Sequence, residues 1–126
     1  MKILVVDDDP DALLLARFAL EDLGGHGVIT AQEGTGLVSR VLEERPDAIL
    51  LDYRLPGIRG DQLARQLADH PATAQIPVFF VTAEDDPDAE QRLLATGARG
   101  IFPKPLDLTE LAGRLESAMG SGDDRA

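Results

Sequence analysis

Apolar residues along the chain alternate between short continuous runs and longer stretches with helical spacing. The short runs have the length and apolarity of buried strands, and they are predicted at 3–6, 28–31, 47–52, 77–82 and 100–102. After each run, apolar residues recur three or four positions apart, which is typical of helices that bury one face. Helices are therefore predicted at 10–23, 37–44, 60–69, 88–96 and 108–119.

Turn and cap residues separate these elements. Asp9 followed by Pro10 is typical of an N-cap and a first helical residue, and Gly24 and Gly25 are predicted to end that helix. Regular alternation of strands and helices implies right-handed β-α-β crossovers and a parallel sheet covered on both faces, a doubly wound α/β fold. We expect residues 1–119 to form this domain, with the polar residues 120–126 as a flexible tail or the start of a linker.

Composition narrows the function classes. A chain of 126 residues is expected to form one domain, and 44% apolar with 28% charged content is typical of a soluble globular protein. The net charge of −11 argues against direct nucleic-acid binding. No apolar run is long enough for a membrane span or a signal-peptide core, so a cytoplasmic location is expected. The absence of cysteine excludes disulfides and thiolate chemistry.

The predicted third strand ends in a carboxylate. Asp52 follows four apolar residues, and Leu55-Pro56-Gly57 supplies a turn directly afterwards. In open α/β sheets, ligands bind outside the carboxyl ends of the strands, which is where Asp52 is predicted to lie. Taken alone, Asp52 would more often be an acid that only ends a strand and enters a turn.

Other polar residues are predicted at the same edge of the sheet. Asp7 and Asp8 follow the first strand, Thr82 ends the fourth, and Lys104 follows the fifth. Carboxylates that share a small site repel one another, and a hard divalent cation such as Mg²⁺ relieves this repulsion. With an ammonium and a hydroxyl beside Asp52, the set suits attack of the Asp52 carboxylate on phosphorus to give an aspartyl phosphate.

Four segments in this order resemble the receiver domain of two-component response regulators, of which the single-domain chemotaxis regulator is a familiar member. The resemblance covers nearly the whole chain. It implies the flavodoxin-like (βα)5 fold with a five-stranded parallel sheet in the order 2-1-3-4-5. The matching segments are Ile3-Leu4-Val5-Val6-Asp7-Asp8-Asp9, Leu50-Leu51-Asp52-Tyr53-Arg54-Leu55-Pro56-Gly57-Ile58-Arg59-Gly60, Val81-Thr82-Ala83 and Gly97-Ala98-Arg99-Gly100-Ile101-Phe102-Pro103-Lys104-Pro105.

The resemblance also implies roles for individual residues. Asp52 is the expected phosphoacceptor. Asp8 is expected to bind Mg²⁺ directly and Asp7 mainly through water, and Asp52 and the backbone carbonyl of Arg54 are expected to complete the protein ligands. The phosphoryl donor is expected to be a phosphohistidine on a histidine kinase or a histidine phosphotransfer protein.

Around the phosphoryl group, Thr82 is expected to reorient and Lys104 to pair with it, the peptide bond after Lys104 being cis. Arg54 and Glu84 correspond to positions that flank the phosphoryl group in the family and tune its hydrolysis, although a surface ion pair is about as plausible. The aromatic switch residue of the family corresponds here to Ile101, and Phe102 is expected to point to the opposite face of the strand. The means of signal transmission is therefore expected to differ.

The sequence thus predicts a phosphorylation-dependent switch in which the face formed by the fourth helix, fifth strand and fifth helix changes its affinity for an effector protein or output domain. It is expected to phosphorylate and dephosphorylate itself without being a multiple-turnover enzyme. One alternative is a receiver-like adaptor that binds partners without phosphorylation. A phosphatase with an aspartyl-phosphate intermediate is a third possibility, but haloacid-dehalogenase-like hydrolases have a second aspartate where this chain has Arg54.

Overall fold

Five strands alternate with five helices in a computed structural model of the chain, which describes residues 1–83 and 87–124. All strands are parallel and form one sheet in the order 2-1-3-4-5, which confirms the predicted fold. The strands are β1 (Lys2–Val6), β2 (Gly27–Ala31), β3 (Ala48–Asp52), β4 (Val78–Ala83) and β5 (Gly100–Lys104). The helices are α1 (Pro10–Arg17), α2 (Leu37–Glu44), α3 (Gly60–Asp69), α4 (Pro87–Leu94) and α5 (Leu111–Asp124).

The core is divided into two apolar layers by the sheet. Successive residues of β3 alternate between the layers, and all five of its residues are buried. One layer contains Leu51 and Phe80 with residues of α2, α3 and α4, whereas the other contains Leu50 and Phe79 with residues of α1 and α5. Because both faces are covered, the strand pattern is a continuous apolar run rather than an alternating one.

The first helix is not regular to its end. Asp9 caps α1 as predicted, since its side chain accepts a hydrogen bond from the Asp11 amide. After Arg17 the chain continues as a π-helical segment, Phe18–Leu23, which differs from the single α-helix that the apolar spacing predicts. The wider turns end at Gly24, whose Cα lies so close to α5 that an added Cβ would come within 2.6 Å of the Ala112 Cβ.

The fifth strand is longer than predicted. It continues through Pro103 to Lys104, paired with Thr82 and Ala83 of β4. Proline lacks an amide donor, but it is tolerated because β5 is an edge strand that pairs on one side only. This pairing places Lys104 at the end of the strand.

The last helix starts at Leu111 rather than Leu108, and its described backbone extends into the predicted tail. The division between domain and tail stays a prediction.

Ile101 and Phe102 face opposite sides of the sheet, as predicted. Ile101 packs against the layer that contains Phe80, while Phe102 is buried in the other layer, with its ring centroid 5.7 Å from that of Phe79. Within the described ranges, no helix is both long enough and apolar enough to cross a membrane.

Candidate functional site

The carboxyl end of β3 presents the Asp52 side chain, which is only 4% exposed. Its Oδ1 accepts a hydrogen bond from the Arg54 amide at 3.3 Å. The following turn folds back onto the strand, because the Gly60 amide donates to the Tyr53 carbonyl at 2.8 Å. An added Cβ at Gly60 would lie 3.0 Å from the Asp52 carbonyl oxygen and 2.9 Å from the Tyr53 Cα. Only glycine allows this approach, so Gly60 is structural, as predicted.

The loop after β1 brings two further carboxylates to the same edge. Asp7 is buried, and its Oδ1 accepts a hydrogen bond from the Asp9 amide at 3.0 Å, whereas Asp8 is exposed. Asp7, Asp8 and Asp52 each offer a carboxylate oxygen, and these three oxygens lie within 4.8 Å of one another. The structure therefore brings together the three acids that the sequence selects.

Lys104 places a positive charge on the other side of Asp52. Its Nζ lies 3.1 Å from Asp52 Oδ1, the same oxygen that accepts from the Arg54 amide. The peptide bond between Lys104 and Pro105 is cis, as expected. Thr82 is buried on β4, one residue beyond Val81, the register partner of Asp52. Thus the predicted ammonium lies beside the predicted phosphoacceptor, with the hydroxyl residue on the adjacent strand.

Like charge is concentrated in this cluster. Burial raises the pKa of the Asp7 carboxyl, and the neighbouring carboxylates of Asp52 and Asp8 raise this pKa as well. The hydrogen bond from the Asp9 amide and the ammonium of Lys104 act in the opposite direction on the same pKa. The net result is a raised pKa, so ionisation of Asp7 is less favourable in the metal-free fold than in an exposed carboxyl group.

The donor set fits a hard metal ion. All candidate side-chain ligands are carboxylate oxygens, which Mg²⁺ and Ca²⁺ prefer to nitrogen or sulfur. A cation among the three oxygens would offset the repulsion that raises the pKa of Asp7. The site is thus an acidic pocket that can bind a metal ion.

A cavity of about 470 Å³ opens beside these charges, between the start of α1 and the chain after β5. Asp7, Asp8 and Lys104 line its polar end, and residues such as Leu15 and Leu106 line its apolar part. The outer face of α1 and its π-helical continuation is also apolar, with Leu14 66%, Leu15 50% and Phe18 46% exposed. The helical spacing alone does not predict this exposed surface, although three consecutive leucines, 13–15, exceed what one buried helix face requires.

Another buried acid was also missed. Asp61, the second residue of α3, is 2% exposed and is paired with Arg59. Its only sequence signal is the opposite charges that flank Gly60.

Glu84, which the resemblance places beside the phosphoryl group, lies outside the described residues. Arg54 contributes its amide to Asp52, and its carbonyl as a ligand stays a prediction.

Comparison with known proteins gives a consistent result. The family model described as "Response regulator receiver domain" matches residues 3–116. Protein PilH of Pseudomonas aeruginosa is 37% identical over 118 residues, which cover 94% of this chain and 97% of PilH. The phosphate regulon transcriptional regulatory protein PhoB of Rhizobium meliloti is 36% identical over 118 residues, covering 94% of this chain and 52% of PhoB.

Solved structures show the same relationship. The chemotaxis response regulator CheY4 of Vibrio cholerae superposes with a TM-score of 0.84 at 26% identity, covering 93% of this chain and 97% of CheY4. The chain spans about half the length of the PhoB proteins that it matches. The residues that the family model matches, 3–116, contain the predicted phosphoacceptor and metal-binding segments of this chain.

Proposed function

Because this chain belongs to the response regulator receiver domain family of two-component signalling, we propose that it is a switch operated by phosphorylation of Asp52. The observation that carries the proposal is the surroundings of Asp52. The buried Asp52 carboxylate lies beside two other carboxylates and 3.1 Å from an ammonium, at the carboxyl edge of a parallel sheet. This arrangement suits the transfer of a dianionic phosphoryl group onto Asp52.

The proposed reaction exchanges one bond to phosphorus for another. An Asp52 oxygen forms the new bond while the bond from phosphorus to the imidazole nitrogen of a phosphohistidine breaks, leaving the electron pair on the imidazole. Asp7, Asp8, Asp52 and the carbonyl of Arg54 would hold Mg²⁺, which supplies neutralisation of the phosphoryl oxygens. Lys104 leaves Asp52 Oδ1 to pair with a phosphoryl oxygen, and the Thr82 hydroxyl donates to another.

The donor is proposed to be a histidine kinase or a histidine phosphotransfer protein. Support comes from the exposed apolar side chains of Leu14, Leu15 and Phe18, of which Leu15 lines the cavity that also reaches Asp7 and Lys104. A protein that docks on this surface would place its phosphohistidine at the mouth of the site. The net charge of −11 disfavours nucleic acid as a direct partner of this segment.

The output is proposed to be a change in affinity at the face formed by α4, β5 and α5, transmitted by movement of Thr82 without an aromatic residue at position 101. The recipient would be an effector protein or an output domain in the cytoplasm. The relatives named PhoB are described as transcriptional regulatory proteins, which makes a covalently attached output domain one form of that recipient. The chain would act once per phosphorylation, removing its own phosphate, rather than as a multiple-turnover enzyme.

Intact-mass spectrometry after incubation with a small-molecule phosphodonor tests the proposal. One Mg²⁺-dependent phosphoryl adduct is expected in the parent and none in Asp52→Asn. Asp47→Asn is the matched control, because Asp47 lies at the opposite edge of the sheet, where it accepts from the Lys2 amide. An adduct that persists in Asp52→Asn would refute the assignment of the phosphoacceptor.

The exposed apolar face also favours a second function, an adaptor that binds partners without phosphorylation. Absence of both Mg²⁺ binding and an adduct in the parent would support this adaptor. Repeated turnover of a phosphate ester would instead support the phosphatase, although Arg54 occupies the position at which those hydrolases carry their second aspartate.

A further inference from the structure

Asp61 is a buried acid that the proposed phosphoryl transfer does not use. Its carboxylate is held from one side by the Arg59 guanidinium, whose Nε and Nη2 donate to Oδ1 and Oδ2 at 3.0 and 3.4 Å. The Asp61 side chain is 3% exposed and the Arg59 side chain 61% exposed, so the pair joins a surface guanidinium to a buried carboxylate. Asp61 also lies in the first turn of α3, where a negative charge is favoured by the helix dipole.

Through its backbone, Arg59 is linked to the site. Arg59 and Arg54 form an isolated antiparallel β-bridge that closes the turn between β3 and α3. At the other end of this bridge, the Arg54 amide donates to Asp52 Oδ1. A continuous chain of contacts therefore leads from the buried Asp61 carboxylate through Arg59 and Arg54 to the phosphoacceptor.

The turn has other contacts besides this pair: Ile58 packs against the core, and the Arg59 amide donates to Gln62 Oε1 at 3.0 Å. Arg54, Pro56, Gly57 and Arg59 are exposed, and Leu55 is the one fully buried residue among positions 54–59. Gly57 has a φ of +81°, in the left-handed region that glycine adopts without steric cost. Glycine is equally free to adopt other conformations, so Gly57 does not by itself fix the shape of the turn. The Arg59–Asp61 pair adds a side-chain anchor to a turn in which four of the six residues 54–59 are exposed, and such an anchor helps to position its peptide groups.

We propose that Asp61 is a positioning residue: by anchoring Arg59, it fixes the turn so that the Arg54 peptide groups are presented correctly to Asp52 and to the metal. This inference rests on the proposed function, because it assigns Asp61 a role in metal binding at that site. It predicts that the charge of Asp61 affects Mg²⁺ affinity although Asp61 itself is not a ligand.

The test compares Mg²⁺ affinity with stability in the variants Asp61→Asn and Arg59→Gln and in the double variant. Tyr53 adjoins Asp52 and is the only tyrosine in a chain without tryptophan, so its emission reports Mg²⁺ titrations directly. Urea unfolding in EDTA measures stability without metal. Arg59→Gln guards against a folding failure of Asp61→Asn, because the Arg59 side chain is largely exposed.

Each single variant is expected to weaken Mg²⁺ binding by about 10-fold. This is the lower end of the loss in metal affinity, about 10- to 100-fold, that follows removal of a residue that supports metal ligands indirectly. The double variant should lose no more than either single variant, since both break one anchor. Leu67→Val is the control for general destabilisation, because Leu67 is buried near the far end of α3, and it should keep the parent affinity.

Unchanged Mg²⁺ affinity in both single variants, beside a parent that responds to Mg²⁺, would overturn the positioning role alone. An equal loss in Leu67→Val would also overturn it, since the effect would then follow stability rather than the turn. A parent that shows no Mg²⁺ binding would overturn the proposed function and, with it, this inference.

Discussion

At the amino ends of the strands, charged groups are matched by partners of opposite charge, whereas at the carboxyl ends like charges are collected. Lys2 Nζ lies 3.5 Å from Glu44 Oε1, and the Lys2 amide donates to Asp47 Oδ2 at 2.8 Å. At the opposite edge, three carboxylate oxygens lie within 4.8 Å of one another beside Lys104.

The difference separates stability from function. Complementary pairs at the amino edge favour the folded state without a ligand. At the carboxyl edge, burial and then the neighbouring carboxylates raise the pKa of Asp7, so a bound cation would stabilise the fold by relieving the repulsion. At this edge the three carboxylates share the single ammonium of Lys104 among the described ion pairs, and the remaining negative charge favours binding of a cation.

The largest effect is expected where the backbone itself supports the site. Gly60→Ala would place a Cβ within 3.0 Å of backbone atoms of Asp52 and Tyr53, which cannot move without displacing the phosphoacceptor. We expect a loss of about 3 kcal/mol in the free energy of unfolding, together with weaker Mg²⁺ binding. Urea unfolding and Tyr53 titrations measure the two effects.

Gly113→Ala is the matched control, because a Cβ at Gly113 in α5 would meet no atom within 4 Å. Replacing a helical glycine by alanine should there raise the free energy of unfolding by about 0.5–1 kcal/mol. Equal behaviour of the two variants would contradict the close approach at Gly60.

The next effect concerns the collected charge. Asp7→Asn removes a carboxylate whose folded-state pKa is raised, so the metal-free variant should be more stable than the parent at neutral pH. Between the unfolded pKa and the raised folded pKa, the folded parent binds the extra proton. The stability of the parent therefore falls as pH rises through this window, and the variant should lack that part of the slope.

In the presence of Mg²⁺ the order should reverse. Asp7→Asn is expected to weaken Mg²⁺ binding by about 10-fold or more, because the amide cannot supply the anionic oxygen. Thermal unfolding from pH 4 to 7, in EDTA and in Mg²⁺, measures both parts. A variant less stable than the parent in EDTA at neutral pH would show that burial and repulsion of the Asp7 carboxylate do not dominate its contribution to stability.

The sequence was sufficient for the strands and for the acids at the site because both depend on local pattern, whereas the strand order was implied by the resemblance to receiver domains. The apolar run before Asp52 fixes a buried strand, and parallel strands bring Asp7, Asp8 and Lys104 to the same edge. The separation of Ile101 from Phe102 follows from the twofold period of a strand.

Features that depend on tertiary packing were not predicted. The π-helical segment Phe18–Leu23 has apolar spacing that an α-helix would also satisfy, and the cavity beside α1 depends on how far that helix stands from the chain after β5. Pro103 favours an end to β5, yet pairing with β4 continues because an edge strand does not need its amide. The burial of Asp61 is set by α3 packing rather than by its neighbours in sequence.

The smallest effect is expected at the amino edge, where His26 links two ends of the fold. The N-terminal ammonium donates to His26 Nδ1 at 2.9 Å, so Nε2 carries the hydrogen that is donated to Glu116 Oε2 at 2.6 Å. His26→Ala removes both hydrogen bonds, and we expect it to lower the free energy of unfolding by about 1 kcal/mol. Mg²⁺ affinity should stay at the parent value, since His26 precedes β2 at the edge away from Asp52.

A double-mutant cycle with Glu116→Gln separates the pair from other losses at His26. The His26 side chain is 10% exposed and that of Glu116 is 50% exposed, so water screens mainly Glu116. We expect a coupling free energy of about 0.5–1 kcal/mol between the two side chains. Zero coupling would mean that the amino edge is not stabilised by this pair. Weaker Mg²⁺ binding in His26→Ala would instead show that the two edges are energetically coupled. Stability could then not be assigned to the amino edge and metal binding to the carboxyl edge separately.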